Sequence, residues 1–262
     1  MIAIDLDGTL LNDQKQVSEQ TALAMSCLKN VRIVIASARP PRSVRHIYRL
    51  LKLNTLQINY NGAMIWDEPS RSAVFHRPLP GPLVRQIVEF SRDLFEEILV
   101  TVEAMDRCYT DRVDDAFTTE TSRLFRPDGI LPLEQFYEME TTKLMLLGEP
   151  AIISRLEATL LERFGNQVII LQTDPHLLQI MHPRNGKAQA LQRVADHYGV
   201  PMEQVMAVGD APNDVGMLQL AGVAVAMDNA HPAVKEVADW IAPSNNDHGV
   251  HAALVRFCSC ES

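Results

Sequence analysis

Two aspartates stand one residue apart where an apolar run stops: Ile2-Ala3-Ile4-Asp5-Leu6-Asp7-Gly8-Thr9-Leu10. A carboxylate is costly to dehydrate without a partner, so two acids closing a buried strand call for a chemical reason. Strand side chains alternate between faces, which predicts that Asp5 and Asp7 point to one side. There they can share a divalent cation, or divide the work of nucleophile and acid. The plain alternative is a surface turn built on Asp-Gly. Downstream, residues 31–36 run into Ser37-Ala38-Arg39, Lys187 stands at the start of a helix, and residues 205–208 run into Gly209-Asp210-Ala211-Pro212-Asn213-Asp214. Hydroxyl, lysine and a second acid cluster suit phosphoryl transfer, where a substrate dianion needs neutralising and a nucleophile must lie in line. Carboxylates are the hard oxygen ligands that magnesium takes, with water completing its shell. A serine hydroxyl can donate to a phosphate oxygen, and a lysine places a point charge on the same group.

These groups need a frame. Residues 2–5, 31–36, 57–60 and 63–66 read as strands, with Asn61-Gly62 a turn before the last. Residues 18–28 read as a helix with Ser18 at its N-cap. Pro40-Pro41 open another helix, with Val44, Ile47 and Leu51 on one face. The rhythm resumes late, with helices over 185–198, 213–220 and 231–238 and strands over 205–208, 223–226 and 240–242. Such alternation predicts an α/β fold, a Rossmann-like parallel sheet with helices on both faces. Ligands bind beyond the carboxyl ends of strands in such sheets, where Asp5, Ser37 and Asp210 each stand. Breaker clusters at 78–82 and 182–186 bracket roughly 100 residues, enough for a small core of their own. Helices over 83–95 and 152–164 and strands over 98–102, 143–147, 168–171 and 177–181 are expected there; residues 111–140 carry no clear pattern. The expected organisation is a discontinuous core, 1–80 and 184–262, with an inserted α+β domain over 81–183.

The chain has 262 residues, 47% of them apolar, which is enough to bury a sizeable core. A net charge of -9 argues against a nucleic-acid or anionic-membrane binder, which needs a basic face. A small anionic substrate needs only a few local cations. No apolar run approaches a membrane span, and no charged-then-apolar leader precedes Asp5, so a reducing cytoplasm is the expected setting. Cys258-Ser-Cys260 has no second cysteine pair to complete a metal site and reads as two tail thiols. The eight histidines show no His-x-x-x-His spacing, and no Gly-rich Walker loop is present.

Asp5-Leu6-Asp7-Gly8-Thr9, Ser37, Lys187 and the 209–214 run resemble the four motifs of the haloacid dehalogenase (HAD) superfamily. The insert between the second and third motifs resembles that of its Cof-like phosphatases. Asn61-Gly62-Ala63 and Asn246-Asp247-His248-Gly249-Val250 resemble secondary signatures of the same group. The resemblance covers nearly the whole chain and implies a HAD fold with an inserted cap. It implies a Mg2+-dependent phosphatase acting on a small phosphorylated metabolite, such as a sugar phosphate or phosphorylated cofactor. Asp5 would be the nucleophile that forms an aspartyl-phosphate, and Asp7 the acid-base. Asp5, the Asp7 backbone, Asp210 and Asp214 would hold the metal. Gly8, Ser37, Ala38, Lys187 and Asn213 would bind phosphate.

Two departures stand out. Ser37-Ala38-Arg39 replaces the usual Thr-Gly-Arg, so Ala38 loses glycine's access to positive φ. Asp228 stands where a glycine is common. Several roles stay open. Asp214 is a ligand or a first-turn acid facing a helix dipole. Arg39 reads substrate or pairs with a core acid. Asn61, His176 and Arg184 are substrate-contact candidates. A phosphomutase, or a non-catalytic metabolite-binding module, is the rival reading, and a monomer or small homo-oligomer is expected.

Overall fold

Ile2–Asp5 (β1) is apolar at every position but the last, and it is buried throughout. That suits a strand covered on both faces, as in a parallel sheet. In the computed structural model, which describes residues 1–114 and 126–258, β1 lies inside an eight-stranded sheet. Its neighbours are Ile33–Ala36 (β2) and Met206–Gly209 (β12), both parallel to it. Beyond β2 come Gln57–Asn59 (β3), Met64–Asp67 (β4) and Ser72–His76 (β5); beyond β12 come Val223–Met227 (β13) and Trp240–Ala242 (β14). β3 pairs with β2 in parallel, and β4 turns back antiparallel on β3. The register of the central strands decides where the loaded strand ends emerge. Asp5 lies opposite Ala36, and Ile4 opposite Val208, so the chain leaves all three central strands at one edge.

Helices cover this sheet for reasons legible in their ends. Glu19–Cys27 (α1) is capped by Ser18, whose hydroxyl accepts from the Thr21 N–H at 3.2 Å. Pro41–Leu50 (α2) opens on a proline whose missing N–H would have no helical partner anyway. It buries Val44, Ile47 and Tyr48, while Leu51 falls just past its end. Lys187–Tyr198 (α6) buries Ala190, Leu191, Val194 and Ala195, and with them the charged Lys187. Val215–Leu220 (α7), Pro232–Lys235 (α8) and Gly249–Phe257 (α9) complete this unit, which comprises residues 1–75 and 186–262.

The second compact unit, residues 76–185, has its own sheet and core. Its sheet runs Ile169–Asp174 (β10), Leu177–Met181 (β11), Thr141–Leu147 (β9), Leu99–Ala104 (β6), Arg107–Thr110 (β7) and Gly129–Ile130 (β8) in spatial order. All neighbours are antiparallel except β7 and β8. Gly81–Leu94 (α3), Leu133–Phe136 (α4) and Pro150–Phe164 (α5) accompany it. Val84, Ile87, Leu156 and Leu160 of the helices share one core with Val100, Val102, Leu144 and Leu146 of the strands. The strand period of two sends Met145 and Leu147 to the opposite face, in a separate small cluster with Leu99, Cys108 and Leu177. The breaker clusters place the junctions near 80 and 184; the compact units divide after 75 and 185.

Several elements differ from expectation. The helix expected over 231–238 is only Pro232–Lys235, because the chain must rejoin the sheet. Asp239 pairs with Ala224 through both its backbone and its carboxylate. β5 and β7 carried no expected strand: β5 is half exposed, so its alternation is weak. α9 lacked a start signal, since it opens from His248 at φ 58° with no side-chain cap. Cys258 follows α9 and packs partly buried against the core, while Cys260 lies outside the described residues. Among the described residues no helix is long and apolar enough to cross a membrane.

Candidate active site

The register of β1, β2 and β12 delivers Asp5, Ser37 and Asp210 to the same sheet edge. Lys187, at the first turn of α6, reaches that edge from the helix layer. Its side chain is almost wholly buried, with Nζ 2.5 Å from Asp5 Oδ1 and 2.6 Å from Asp214 Oδ1. A buried ammonium survives only if its charge is answered. Burial works against the charged form of Lys187, but the two carboxylates outweigh it and hold its pKa above the ordinary lysine value.

Asp214 is fully buried, and its oxygens are mostly engaged. Oδ1 accepts from Lys187, while Oδ2 accepts from the Asp210 and Ala211 N–H groups at 3.1 and 3.0 Å. It therefore folds the 209–214 loop around itself. Gly209 is required there, because a β-carbon would stand 2.6 Å from that of Asp214. The side chain of Asp210 is turned by Thr9, whose hydroxyl donates to Oδ1 at 2.7 Å. Gly8, at φ +80°, is the hinge of this approach, since a side chain there would strike the Asp210 carboxylate. Thr9 was legible only as part of the motif; its partner lies 201 residues away.

Asp5, Asp210 and Asp214 each bring a carboxylate oxygen within 4.8 Å of the other two. Three carboxylates against one ammonium leave an excess of two negative charges when all are ionised. Burial and this crowding of charge act on the carboxyl groups in the same direction. Burial raises Asp5 well above the usual carboxylate range; Lys187 opposes it, and Asp214 and Asp210 add to it. Burial likewise raises Asp210, against the Thr9 hydrogen bond. Hard oxygens with a surplus of two charges fit a divalent cation of the magnesium type.

Asp7 behaves differently, and here strand alternation misleads. β1 ends at Asp5, so the period of two does not carry through Leu6. The Asp7 carboxylate is gripped by a two-pronged Arg39 contact, Nε to Oδ2 at 2.7 Å and a terminal nitrogen to Oδ1 at 2.5 Å, with Lys15 Nζ at 2.8 Å. Burial pushes its pKa up, but these hydrogen bonds win and hold it below the usual range. Arg39 thus pairs with a core acid, one of its two open roles. Replacing the fork with a point charge, Arg39→Lys, is expected to raise the Asp7 pKa and move the limb of kcat/KM that reports protonated Asp7, its alkaline limb, to higher pH. A pH–rate profile checks this, and an unmoved limb contradicts it.

Ser37 is buried, and its hydroxyl oxygen accepts from the Arg39 N–H at 3.1 Å, leaving the hydroxyl proton to be donated. Ala38 is exposed and adopts no positive φ, so the loss of glycine there has no backbone cost. Asn213 donates to Asn61 Oδ1 at 2.8 Å. Asn229 donates to the Gly8 carbonyl at 2.8 Å and accepts from the Asn245 N–H, while Asn245 donates to the Leu11 carbonyl. The 245–246 segment therefore braces the loop after Asp7, with Asn246 clasping Asp13. Asp228 is exposed beside Lys235. His176 and Arg184 belong to the second unit. There the His176 ring meets the Gly148 carbonyl at 3.0 Å, and the Arg184 carbonyl accepts from Arg77.

Buried carboxylates, a bridging lysine and a donor-bearing serine at the carboxyl edge of a parallel sheet are the features of a phosphoryl-transfer hydrolase. The chain belongs to the haloacid dehalogenase-like hydrolase family, whose sequence pattern matches residues 2–254. Within that family it is a phosphatase. It is 32% identical to the 5-amino-6-(5-phospho-D-ribitylamino)uracil phosphatase YitU of Bacillus subtilis, over 99% of this chain and 97% of that protein. A second Bacillus subtilis phosphatase named for the same compound, YcsE, is 31% identical over 97% of this chain and 94% of its own. The crystal structure of TM0651 from Thermotoga maritima superposes with a TM-score of 0.90 at 29% identity, covering 98% of this chain and 97% of that one.

Proposed function

We propose that this phosphatase is magnesium-dependent and hydrolyses a small phosphorylated metabolite through an aspartyl-phosphate on Asp5. The observation that carries the reading is the Lys187 ammonium bridging Asp5 and Asp214 within an acidic cluster of two excess charges. Asp5, Asp210 and the Asp7 carbonyl would hold the cation. Asp214, with both oxygens already in use, positions Lys187 and the 210–211 amides instead of binding metal directly. When bound, magnesium supplies charge neutralisation between an attacking carboxylate and the phosphate dianion.

The chain's own residues do the rest. Ser37 donates its free hydroxyl proton to a phosphate oxygen, and Lys187 and Asn213 hold the same group. Asp5 attacks phosphorus while the bond to the leaving oxygen breaks, and that oxygen takes a proton from Asp7. Water then attacks phosphorus, gives a proton back to Asp7, and releases Asp5 and inorganic phosphate. In the Arg39–Lys15 grip Asp7 is ionised, which suits its role as base in the second step. To serve as acid in the first, it must leave that grip.

The direct test is phosphate release over a panel of sugar phosphates and 5-amino-6-(5-phospho-D-ribitylamino)uracil, the compound for which two relatives are named. Turnover of at least one compound, lost with chelator and restored by magnesium, is expected. Turnover indifferent to chelation overturns the reading.

Metal binding has a second signature. Asp5 and Asp210 have raised folded pKa values, so their contribution to stability is present at low pH and lost as pH rises through those values. Repulsion is therefore greatest in the neutral and alkaline range, and protons compete with a cation below it. Magnesium at 100 times its Kd is expected to stabilise the fold by about 2.7 kcal/mol. The Tm increase should be larger at pH 8 than at pH 5 and largely absent in Asp210→Asn. Equal increases at both pH values would contradict it.

A further inference from the structure

Tyr60, Asn61 and Gly62 occupy the left-handed region in succession, at φ 50°, 54° and 91°. A buried aromatic and an asparagine held there side by side store strain, and such strain persists only where the surroundings over-determine it. Tyr60 is completely buried. What surrounds the triplet is three different loops. Its backbone holds the first: the Asn61 N–H donates to the Ser37 carbonyl at 3.0 Å, and the Tyr60 N–H to the Arg39 carbonyl at 3.3 Å. The wholly buried Asn59 side chain donates to that Arg39 carbonyl as well, at 3.2 Å. The second loop is reached by the side chain of Asn61, whose Oδ1 accepts from Asn213 Nδ2 at 2.8 Å. The third is met by Gly62, where a β-carbon would stand 2.6 Å from the carbonyl carbon of Gly186, the residue before Lys187. Only a glycine lets the backbones approach so closely, and its positive φ adds a second reason for it.

Ser37, Asn213 and Lys187 are the side chains to which the proposed function assigns the phosphate. They come from three separate segments, and the 60–62 triplet touches all three segments. We infer that this left-handed triplet is the brace that sets the phosphate-binding groups relative to one another, and that Asn61 is a positioning residue acting through Asn213, not a substrate contact. The inference rests on the proposed phosphate role of that site. It assigns Asn61 a task that its own exposure does not suggest, because its side-chain acceptor faces another amide.

The obvious variant, Gly62→Ala, drives a side chain into backbone and risks misfolding. Asn61→Gly is cleaner, since glycine adopts the left-handed conformation and the change takes away the side-chain amide, and with it the acceptor that Asn213 uses. Inhibition by inorganic phosphate is the probe, measured on the magnesium-loaded wild type, Asn61→Gly, Asn213→Ala and the double variant, with Tm recorded for each. Asn61→Gly is expected to weaken phosphate inhibition by about tenfold, with Asn213→Ala similar and the double variant no weaker than the poorer single. Losses that multiply in the double variant overturn the inference, as does unchanged inhibition in Asn61→Gly. So does a loss that merely follows a fall in Tm. A wild type that turns over phosphate esters while Asn61→Gly matches it sinks the brace alone; a wild type without turnover sinks the proposed function.

Discussion

Asp5→Asn is expected to reduce turnover by at least about 10^3-fold while leaving the fold intact. The amide is isosteric and keeps a carbonyl oxygen where Lys187 Nζ now meets Asp5 Oδ1 at 2.5 Å. It cannot attack phosphorus, so no acid-stable phosphoenzyme forms. Removing one charge from a cluster with two in excess also lowers repulsion. The metal-free variant should therefore melt no lower than the wild type, an unusual outcome for a buried polar substitution. Acid-quenched single turnover with mass spectrometry reads the intermediate directly, and a scanning melt reads the stability. Asp7→Asn should fail in another way. It can still accumulate phosphoenzyme slowly from an aryl phosphate, whose leaving group needs no proton, but should be impaired in hydrolysing it. A phosphoenzyme in Asp5→Asn, or retained turnover, would remove Asp5 from its role.

Lys187→Met carries the largest expected stability change. Lys187 is 2% exposed, and two buried carboxylates depend on it. Breaking a buried pair by removing one partner costs about 3–5 kcal/mol, because the charge left behind has no solvent and no partner. The loss should appear in urea unfolding at neutral pH without magnesium. It should shrink toward acid, where Asp5 takes up a proton and no longer needs the ammonium. The alkaline side has the opposite origin. The raised pKa of Lys187 means its contribution is complete below the ordinary lysine value and fades only as pH climbs through the folded one. Lys187→Arg is not expected to rescue, since a planar fork does not fit a point where one nitrogen meets two oxygens at 2.5 and 2.6 Å. A variant as stable as the wild type across this range would show that the bridge is not structural.

Much of the fold is readable in the chain. The strand-helix rhythm predicts the parallel sheet, because both-face burial leaves uninterrupted apolar runs such as Ile2-Ala3-Ile4. Ser18 and Pro41 mark helix starts by local chemistry, and both elements begin there. The elements without such signals are less visible. β5 is a half-exposed edge, and α9 starts from a left-handed His248 with no capping side chain.

For the site, residue types and order together single out Asp5, Asp7, Ser37, Lys187 and Asp210, since strand ends loaded with acids and a hydroxyl, with a lysine at a helix start, have few other joint uses; the burial of Lys187 is not legible there, because a helix-start lysine alone reads as solvated. Their division of labour depends on the tertiary structure. Nothing local distinguishes the two aspartates at positions 5 and 7. They diverge because Lys187, 182 residues on, meets one, while Arg39 and Lys15 hold the other. Whether Asp214 ligates or positions is likewise open in the sequence, and turns on the engagement of its oxygens by Lys187 and two amides. Sequence determines which charges exist and at which strand ends they fall. Which charge answers which is an electrostatic choice over a few ångströms, and only the packing of distant segments makes it.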